Sequence, residues 1–362
     1  MTVSTNLAIV NGYLPRLAFN RSGCYCATQM KALVTGASGF IGSTLIGVLN
    51  ERGVEVRALL RKTSSTENLK GLKYESAYGS LSDFESLKKA VDGVDFVFHL
   101  AGVVAAANRQ GYLQQNTEGT AAIAKAISEV NPNLKRFVFL SSLAAGGPMR
   151  TPKLRTEQLT DSPVSAYGES KLAAEQAILK FKDRFPIVIL RPPIVYGPRD
   201  RGIFVIIKTV NQRLMPVISG ANPNKEKVYS IIYVDDLVEG IYQSAMMPED
   251  RFTSGDVFYV AEDRTYTYEQ ILLTAKTYLG RSALKITVPR SVVKIVANIS
   301  HYIGEFTGKA MPLNRDKLNE ILPDYWVCSN AKARSAMGFS PRNELDLGMK
   351  KTVEWYRANG WL

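Results

Sequence analysis

The chain has 362 residues, 46% of them hydrophobic, and a formal net charge of +12, which is enough for a large α/β core or two domains sharing a cleft. Nothing approaches the ~20 uninterrupted apolar residues of a membrane-spanning helix; the longest suspicious stretch, Val288 to Ile303, carries Arg290, Lys294 and His301. No arginine-rich run or zinc-finger spacing accompanies the charge, so no nucleic-acid partner is inferred; three cysteines and two histidines suit neither a disulfide framework, nor a metal site, nor a histidine-based triad.

Residues 1–29 carry Arg16 and Arg21, no acid and no clear periodicity. They read as an N-terminal extension dispensable for chemistry, without the apolar core of a secretory signal. Cys24 and Cys26 lie in it and Cys328 lies far away, a usage that fits a reducing cytoplasm. From Met30 the pattern becomes regular. Lys31 to Val34 reads as a buried strand and Ser43 to Arg52 as an amphipathic helix. Between them stands Thr35-Gly36-Ala37-Ser38-Gly39-Phe40-Ile41-Gly42. A glycine turn that opens a helix is an anion site, because free backbone N–H groups and the helix dipole both favour a pyrophosphate there. Glycine lets the phosphates approach the backbone. Gly36, Ser38, Gly39, Phe40, Ile41 and Gly42 are therefore candidate cofactor contacts. The spacing is Gly-x-x-Gly-x-x-Gly, not the Gly-x-Gly-x-x-Gly of most classical dinucleotide folds.

Val54 to Leu60 is a second strand, ending on Arg61-Lys62. Leu81 to Val91 reads as helix, Val94 to Leu100 as strand, and Thr117 to Glu129 as helix. Arg136 to Ser141 reads as strand, Ser165 to Phe181 as a long helix, and Ile187 to Leu190 as strand. Strands separated by helices imply parallel pairing and a doubly wound α/β sheet. After Arg191-Pro192-Pro193 the rhythm changes. Gly197-Pro198 and Ser219 to Lys227 look like loops. Tyr229 to Asp236 looks like a strand ending in two acids, with a helix from Leu237. Val257 to Ala261 reads as a last strand, Tyr268 to Leu279 as helix, Ile286 to Pro289 as extended, and the remainder as mainly helical. The expected plan is a dinucleotide-binding Rossmann domain from residues 30–197 and 231–262. A smaller, mainly helical substrate lobe would come from 198–230 and 263–362.

Tyr167 and Lys171 are four residues apart, so a helix places them on one face. A nearby cation stabilises a phenolate and lowers the tyrosine pKa. That suits tyrosine to give a proton to a carbonyl oxygen or take one from an alcohol. Ser141-Ser142 follows an apolar strand, at the sheet edge where ligands gather in parallel sheets. A hydroxyl there can hydrogen-bond a substrate oxygen.

With these features in this order, the chain resembles the extended short-chain dehydrogenase/reductase family over about residues 30–350. The resemblance rests on the glycine turn, His99-Leu100-Ala101-Gly102, Asn116-Thr117-x-Gly119-Thr120, Ser141-Ser142 and Tyr167-x-x-x-Lys171. It continues through Arg191-Pro192-Pro193-x-Val195-Tyr196-Gly197-Pro198 and Tyr233-Val234-Asp235-Asp236. It implies Tyr167 as the acid/base and Lys171 as the group that lowers its pKa and binds the nicotinamide ribose. Ser142 would orient the substrate oxygen and Asn116 would support the site. Leu81, Leu100, Ala101, Gly102, Pro193 and Val195 would join Tyr167 and Lys171 at the cofactor, with Pro193 and Tyr196 near the nicotinamide. An acid after the second strand would bind a ribose 2′-hydroxyl, whereas an arginine suits a 2′-phosphate. Arg61 therefore favours NADP(H), with NAD(H) still open. The family's acid near the adenine is missing from Gly79-Ser80-Leu81, and Ser80 replaces it only in part.

Dehydratases of this family carry an Asp-Glu pair after the site serine, where this chain has Leu143-Ala144-Ala145. Epimerases often carry an arginine before Tyr-Val-Asp-Asp, where this chain has Tyr229-Ser230-Ile231-Ile232. Arg61, the segment Ser64 to Leu72 and the ending from Trp326 to Trp361 look more like the dihydroflavonol reductase and 3β-hydroxysteroid dehydrogenase branch. The expected activity is interconversion of a ketone and a secondary alcohol on a small, largely apolar substrate. A sugar-nucleotide epimerase or dehydratase is the alternative, and a non-catalytic dinucleotide sensor a second, although sensors typically lose the Tyr-Lys pair. The run Val292 to Ala297 would pack in the small lobe, cover a lipophilic ligand or touch a membrane surface. A homodimer is expected through helices that include the Tyr-Lys helix.

Overall fold

A computed structural model describes residues 17–19, 25–27, 29–219, 226–307 and 313–362. Most of the N-terminal extension and of the expected Ser219 to Lys227 loop lies outside the described residues. Within the extension, β1 (Leu17–Phe19) pairs antiparallel with β2 (Tyr25–Ala27). There follow β3 (Lys31–Thr35), β4 (Glu55–Leu60), β5 (Glu75–Tyr78), β6 (Phe96–His99), β7 (Arg136–Leu140) and β8 (Ile187–Arg191). Next come β9 (Ile194–Tyr196), β10 (Leu214–Ile218), β11 (Val228–Tyr233) and β12 (Asp256–Tyr259). Seven of these form one parallel sheet in the order β12-β8-β7-β6-β3-β4-β5. The order reverses beside β3, the arrangement in which a crevice opens at the strand carboxyl ends.

The inner strands are largely apolar because both faces of the sheet are covered there. Ala32, Val34, Phe98, Val138 and Leu190 pack on one side with helices Phe40–Glu51 and Val234–Met246. Leu33, Val97, Phe137 and Ile189 pack on the other with helices Phe84–Val91, Gly119–Val130 and Ala166–Leu179. Thr35 lies opposite both Leu59 and His99, so the turns after β3, β4 and β6 open on one edge.

Two local expectations are corrected. β5 was not among the predicted strands. It is an edge strand whose Glu75, Ser76 and Tyr78 are exposed, so it carries no apolar signal. β11 ends at Tyr233 and the next helix already starts at Val234, which puts Asp235 and Asp236 in its first turn, where the dipole favours acids. The Asp236 carboxylate also accepts from the Asn343 and Arg342 amides at 2.8 and 3.0 Å.

The second part of the chain adds short strands to its helices. β11 pairs with β9, with β13 (Thr265–Thr267) and with β15 (Tyr325–Trp326), and β10 pairs in parallel with β14 (Leu284–Val288). Around them pack helices Tyr268–Leu279, Arg290–Thr307, Arg315–Ile321 and Leu345–Ala358.

Candidate active site

The glycine turn is built as a backbone cradle. Gly36 has φ +68° and its carbonyl accepts from the Gly39 amide at 3.0 Å. A Cβ on Gly42 would stand 2.2 Å from that same carbonyl oxygen, and one on Gly36 would stand 2.9 Å from the Ala101 nitrogen. The turn is thus pressed between its own helix and the Leu100-Ala101 backbone, and only glycine fits. No side chain caps the Phe40–Glu51 helix and its first turn holds no acid. Its leading N–H groups suit an anion, so the residues present fit a dinucleotide pyrophosphate. Phe40 and Ile41 turn their side chains onto the core, and the Ser38 carbonyl accepts from Asn68 at 3.0 Å. Arg61 is exposed just beyond β4, with its amide bound to the Ser64 hydroxyl at 3.1 Å. Leu81 packs against Gly119, and Ser80 shares a hydrogen bond with Ser82.

Tyr167, Lys171, Ser142 and Asn116 meet at the same sheet edge. Ser165 caps the Ala166–Leu179 helix, its hydroxyl accepting from the Gly168 amide at 3.0 Å. A Cβ on Gly168 would lie 2.4 Å from the Ala144 carbonyl oxygen. The absence of a side chain there lets the helix seat on the turn after Ser142 and brings Tyr167 within hydrogen-bond reach of the Ser142 side chain. Burial pushes the Tyr167 phenol up to about 12, with the Ser142 hydrogen bond pulling the other way and Glu320 adding to the rise. Burial lowers Lys171 to about 8, opposed by Glu175. The net direction is upward, because burial outweighs the lowering by Lys171 expected from sequence. The Lys171 ammonium donates to the Leu140 carbonyl at 2.6 Å and lies 4.4 Å from the Phe139 ring centroid. Burial decides the phenol, which keeps its proton at neutral pH.

Asn116 sits in a π-helical turn, Leu113–Glu118, that interrupts the helix leading to Val130. Its amide donates to the Ser170 hydroxyl at 2.9 Å and to the Val103 carbonyl at 3.1 Å, and its oxygen accepts from the Val103 amide at 2.8 Å. One side chain thereby ties the Gly102-Val103 loop to the Tyr-Lys helix. His99 is buried between the Thr35 and Thr120 hydroxyls, and burial holds it down to about 3, so it is neutral.

Beneath the site lies an ion network that the sequence reading did not anticipate. Arg191 donates to Glu175 at 2.5 and 2.9 Å and to Asp161 at 2.7 and 2.8 Å. Glu175 also accepts from the Ser141 hydroxyl. Burial works against the Arg191 charge, but its hydrogen bonds to Glu175 and Asp161 hold its pKa above the ordinary value. The signal was present: Glu175 continues the Tyr167, Lys171 face by one more turn. Two further acids arrive from helix Arg315–Ile321. Asp316 accepts from the Ala166 amide at 2.7 Å and Glu320 from the Ser165 hydroxyl at 2.6 Å.

Pro193 and Val195 are partly buried just after β8. Tyr196, expected near the nicotinamide, is held by its own neighbours. It is 2% exposed, packs against Tyr233, and donates its hydroxyl to Glu262 at 3.0 Å.

Fold and site together define a Rossmann protein with a dinucleotide cradle and a Ser-Tyr-Lys constellation at its strand ends. The chain belongs to the NAD-dependent epimerase/dehydratase family, whose model matches residues 32–261. It is an enzyme of the extended short-chain dehydrogenase/reductase type, and its cofactor is a nicotinamide dinucleotide. It is 28% identical to a ceramide reductase of Caulobacter vibrioides over 93% of this chain and 98% of that one. It is 27% identical to a putative dihydroflavonol 4-reductase of Synechocystis over 91% and 95%. Its fold is shared with the UDP-glucuronic acid 4-epimerase of Bacillus cereus in complex with UDP-glucuronic acid and NAD. That likeness has a TM-score of 0.72 at 22% identity, over 91% of this chain and 100% of that one.

Proposed function

We propose that this chain is an oxidoreductase that interconverts a ketone and a secondary alcohol on a small, largely apolar substrate, with NADP(H) preferred. The observation that carries the reading is the proton-bearing Tyr167 beside Ser142 at the sheet edge, with Lys171 one helical turn away. A substrate carbonyl oxygen held by the Ser142 and Tyr167 hydroxyls accepts from both. Tyr167 releases its proton only as charge develops on that oxygen, and the buried Lys171 cation offsets the phenolate left behind. In the reverse direction Tyr167 takes the proton of the alcohol. The dinucleotide would supply or accept the hydride, held by the Gly36 to Gly42 turn and, through a 2′-phosphate, by Arg61. Asn116 keeps Gly102 and the Tyr-Lys helix in register.

Two similar proteins are named as reductases, which supports reduction over epimerisation. So do Leu143-Ala144-Ala145 after Ser142 and Ile231-Ile232 before Tyr233, which offer neither the carboxylates of a dehydratase nor the arginine of many epimerases. We further propose a cytoplasmic homodimer and a dinucleotide-binding unit of residues 30–197 and 231–262, with the remainder after 197 forming the substrate lobe. Tyr167→Phe is the test. Stopped-flow and steady-state assays with NADPH and a ketone panel should show turnover falling by at least about a hundredfold while NADPH affinity stays the same. Full turnover by the variant would overturn the assignment, as would epimerisation of a UDP-sugar by the native chain without net reduction.

A further inference from the structure

Helix Arg290–Thr307 has an unusual division of faces. Val293 and Ala297 are buried against Leu318. Val292, Ile295, Val296, Ile299, Tyr302 and Ile303 recur at helical spacing on another face and are exposed, Ile295, Tyr302 and Ile299 by 59%, 58% and 57%. Strand β14 next to it exposes Leu284 and Ile286. Scattered exposed apolar residues are ordinary on a protein surface, but a continuous stripe of this kind marks a contact.

Cations predominate along the segment that carries the stripe, with Glu305 in the last turn of the helix the exception. From Arg281 to Tyr302 every charged residue is a cation: Arg281, Lys285, Arg290 and Lys294. Lys285 is paired with Glu269 and Arg290 with Asp324, while Arg281 and Lys294 are exposed. Among the described residues no helix is long and apolar enough to cross a membrane. An amphipathic helix with an apolar face, a flanking tyrosine and basic neighbours is built to lie in a bilayer interface. A second copy of the chain fits less well, since a two-fold contact would set the same cations against each other.

We propose that this face docks on an anionic lipid surface, with the Ile295-Ile299-Ile303 stripe in the acyl boundary and Lys294 and Arg281 at the phosphates. Docking would place the site one helix away from the bilayer. Leu318 of helix Arg315–Ile321 packs under the stripe, and Asp316 and Glu320 of that helix hydrogen-bond the start of the Tyr167 helix. The purpose of the surface, loading an apolar substrate from the membrane, rests on the function proposed above, but the docking itself does not.

The test is co-sedimentation of the full chain with vesicles of phosphatidylcholine alone or mixed in equal parts with phosphatidylglycerol. The native chain should bind the mixed vesicles and release them in high salt. Ile295→Ser with Ile299→Ser should weaken partitioning by about tenfold or more, and Lys294→Glu should remove the preference for anionic lipid. Both variants should keep native circular dichroism and native turnover of a water-soluble ketone. Binding that is absent, or unchanged in the isoleucine variant, overturns the proposal. So does a dimer in light scattering that the isoleucine variant splits, which would make the face an interface between copies. Loss of the ketone reaction in the native chain with vesicle binding intact would count against the proposed activity and not against the surface.

Discussion

Replacing Arg191 by methionine would take one cation from between two carboxylates. The Arg191 side chain is 4% exposed and that of Glu175 3%, whereas Asp161 is 28% exposed. In Arg191→Met the Asp161 carboxylate regains water and keeps Arg155. Glu175 does not regain water, and retains the Ser141 hydroxyl as donor with Lys171 one turn away. Deleting one partner of a buried pair costs about 3–5 kcal/mol. Because only one of the two orphaned acids stays dry, the lower end, about 3 kcal/mol, is expected. A second change, Glu175→Met, removes the stranded charge and refills the space, so the double variant should be more stable than Arg191→Met alone. Urea unfolding followed by tryptophan fluorescence, compared at equal m values, measures all four corners of the cycle. A single-variant loss below about 1 kcal/mol, or losses that simply add in the double variant, would refute the account of Glu175 as a charge held in place by Arg191.

Arg61→Ala should raise the Kd of NADPH by about tenfold, the value of one charge-assisted contact, and leave NADH nearly unaffected; fluorescence titration decides, and equal effects on both would remove Arg61 from the cofactor argument. Glu262 gives a pH prediction. Burial lifts its carboxyl from 4.5 to about 8, against hydrogen bonds from Tyr266 and Tyr196. Between those values the native chain holds a proton that the unfolded chain has lost, so stability present at lower pH is lost as pH rises through about 8. Melting midpoints should fall between about pH 5 and about pH 8 by a few °C for each kcal/mol, and Glu262→Gln should flatten the decline; an unchanged slope in the variant would exclude Glu262 as its source.

What the sequence made legible was what chemistry concentrates locally. The glycine turn announces itself within eight residues, and Tyr167 and Lys171 share a face simply by being four apart. The strands of the main sheet were visible where both faces are dry. Legibility failed where meaning depends on distant partners. β5 is polar because it borders solvent, and only its pairing with β4 makes it a strand. Tyr196 carries the family motif, yet its direction is set by Tyr233 and Glu262. The reach of Asp316 and Glu320 across about 150 positions to the start of the Tyr167 helix leaves no periodic trace. Lys171 was recognised as a residue but not in its posture, because the Leu140 carbonyl that claims it belongs to strand β7, about 30 positions away in the chain.

The π-helical turn at Leu113–Glu118 makes the site depend on counting as well as on chemistry. A π turn holds one more residue than an α turn, and one residue is worth about 100° of rotation. Removing a single residue upstream of Asn116 would let the helix relax to ordinary pitch and swing the asparagine off both Ser170 and Val103. Every side chain named in the site would still be present. The clamp between the Gly102 loop and the Tyr-Lys helix would nevertheless be lost, so at this point a one-residue deletion is a harsher change than many substitutions.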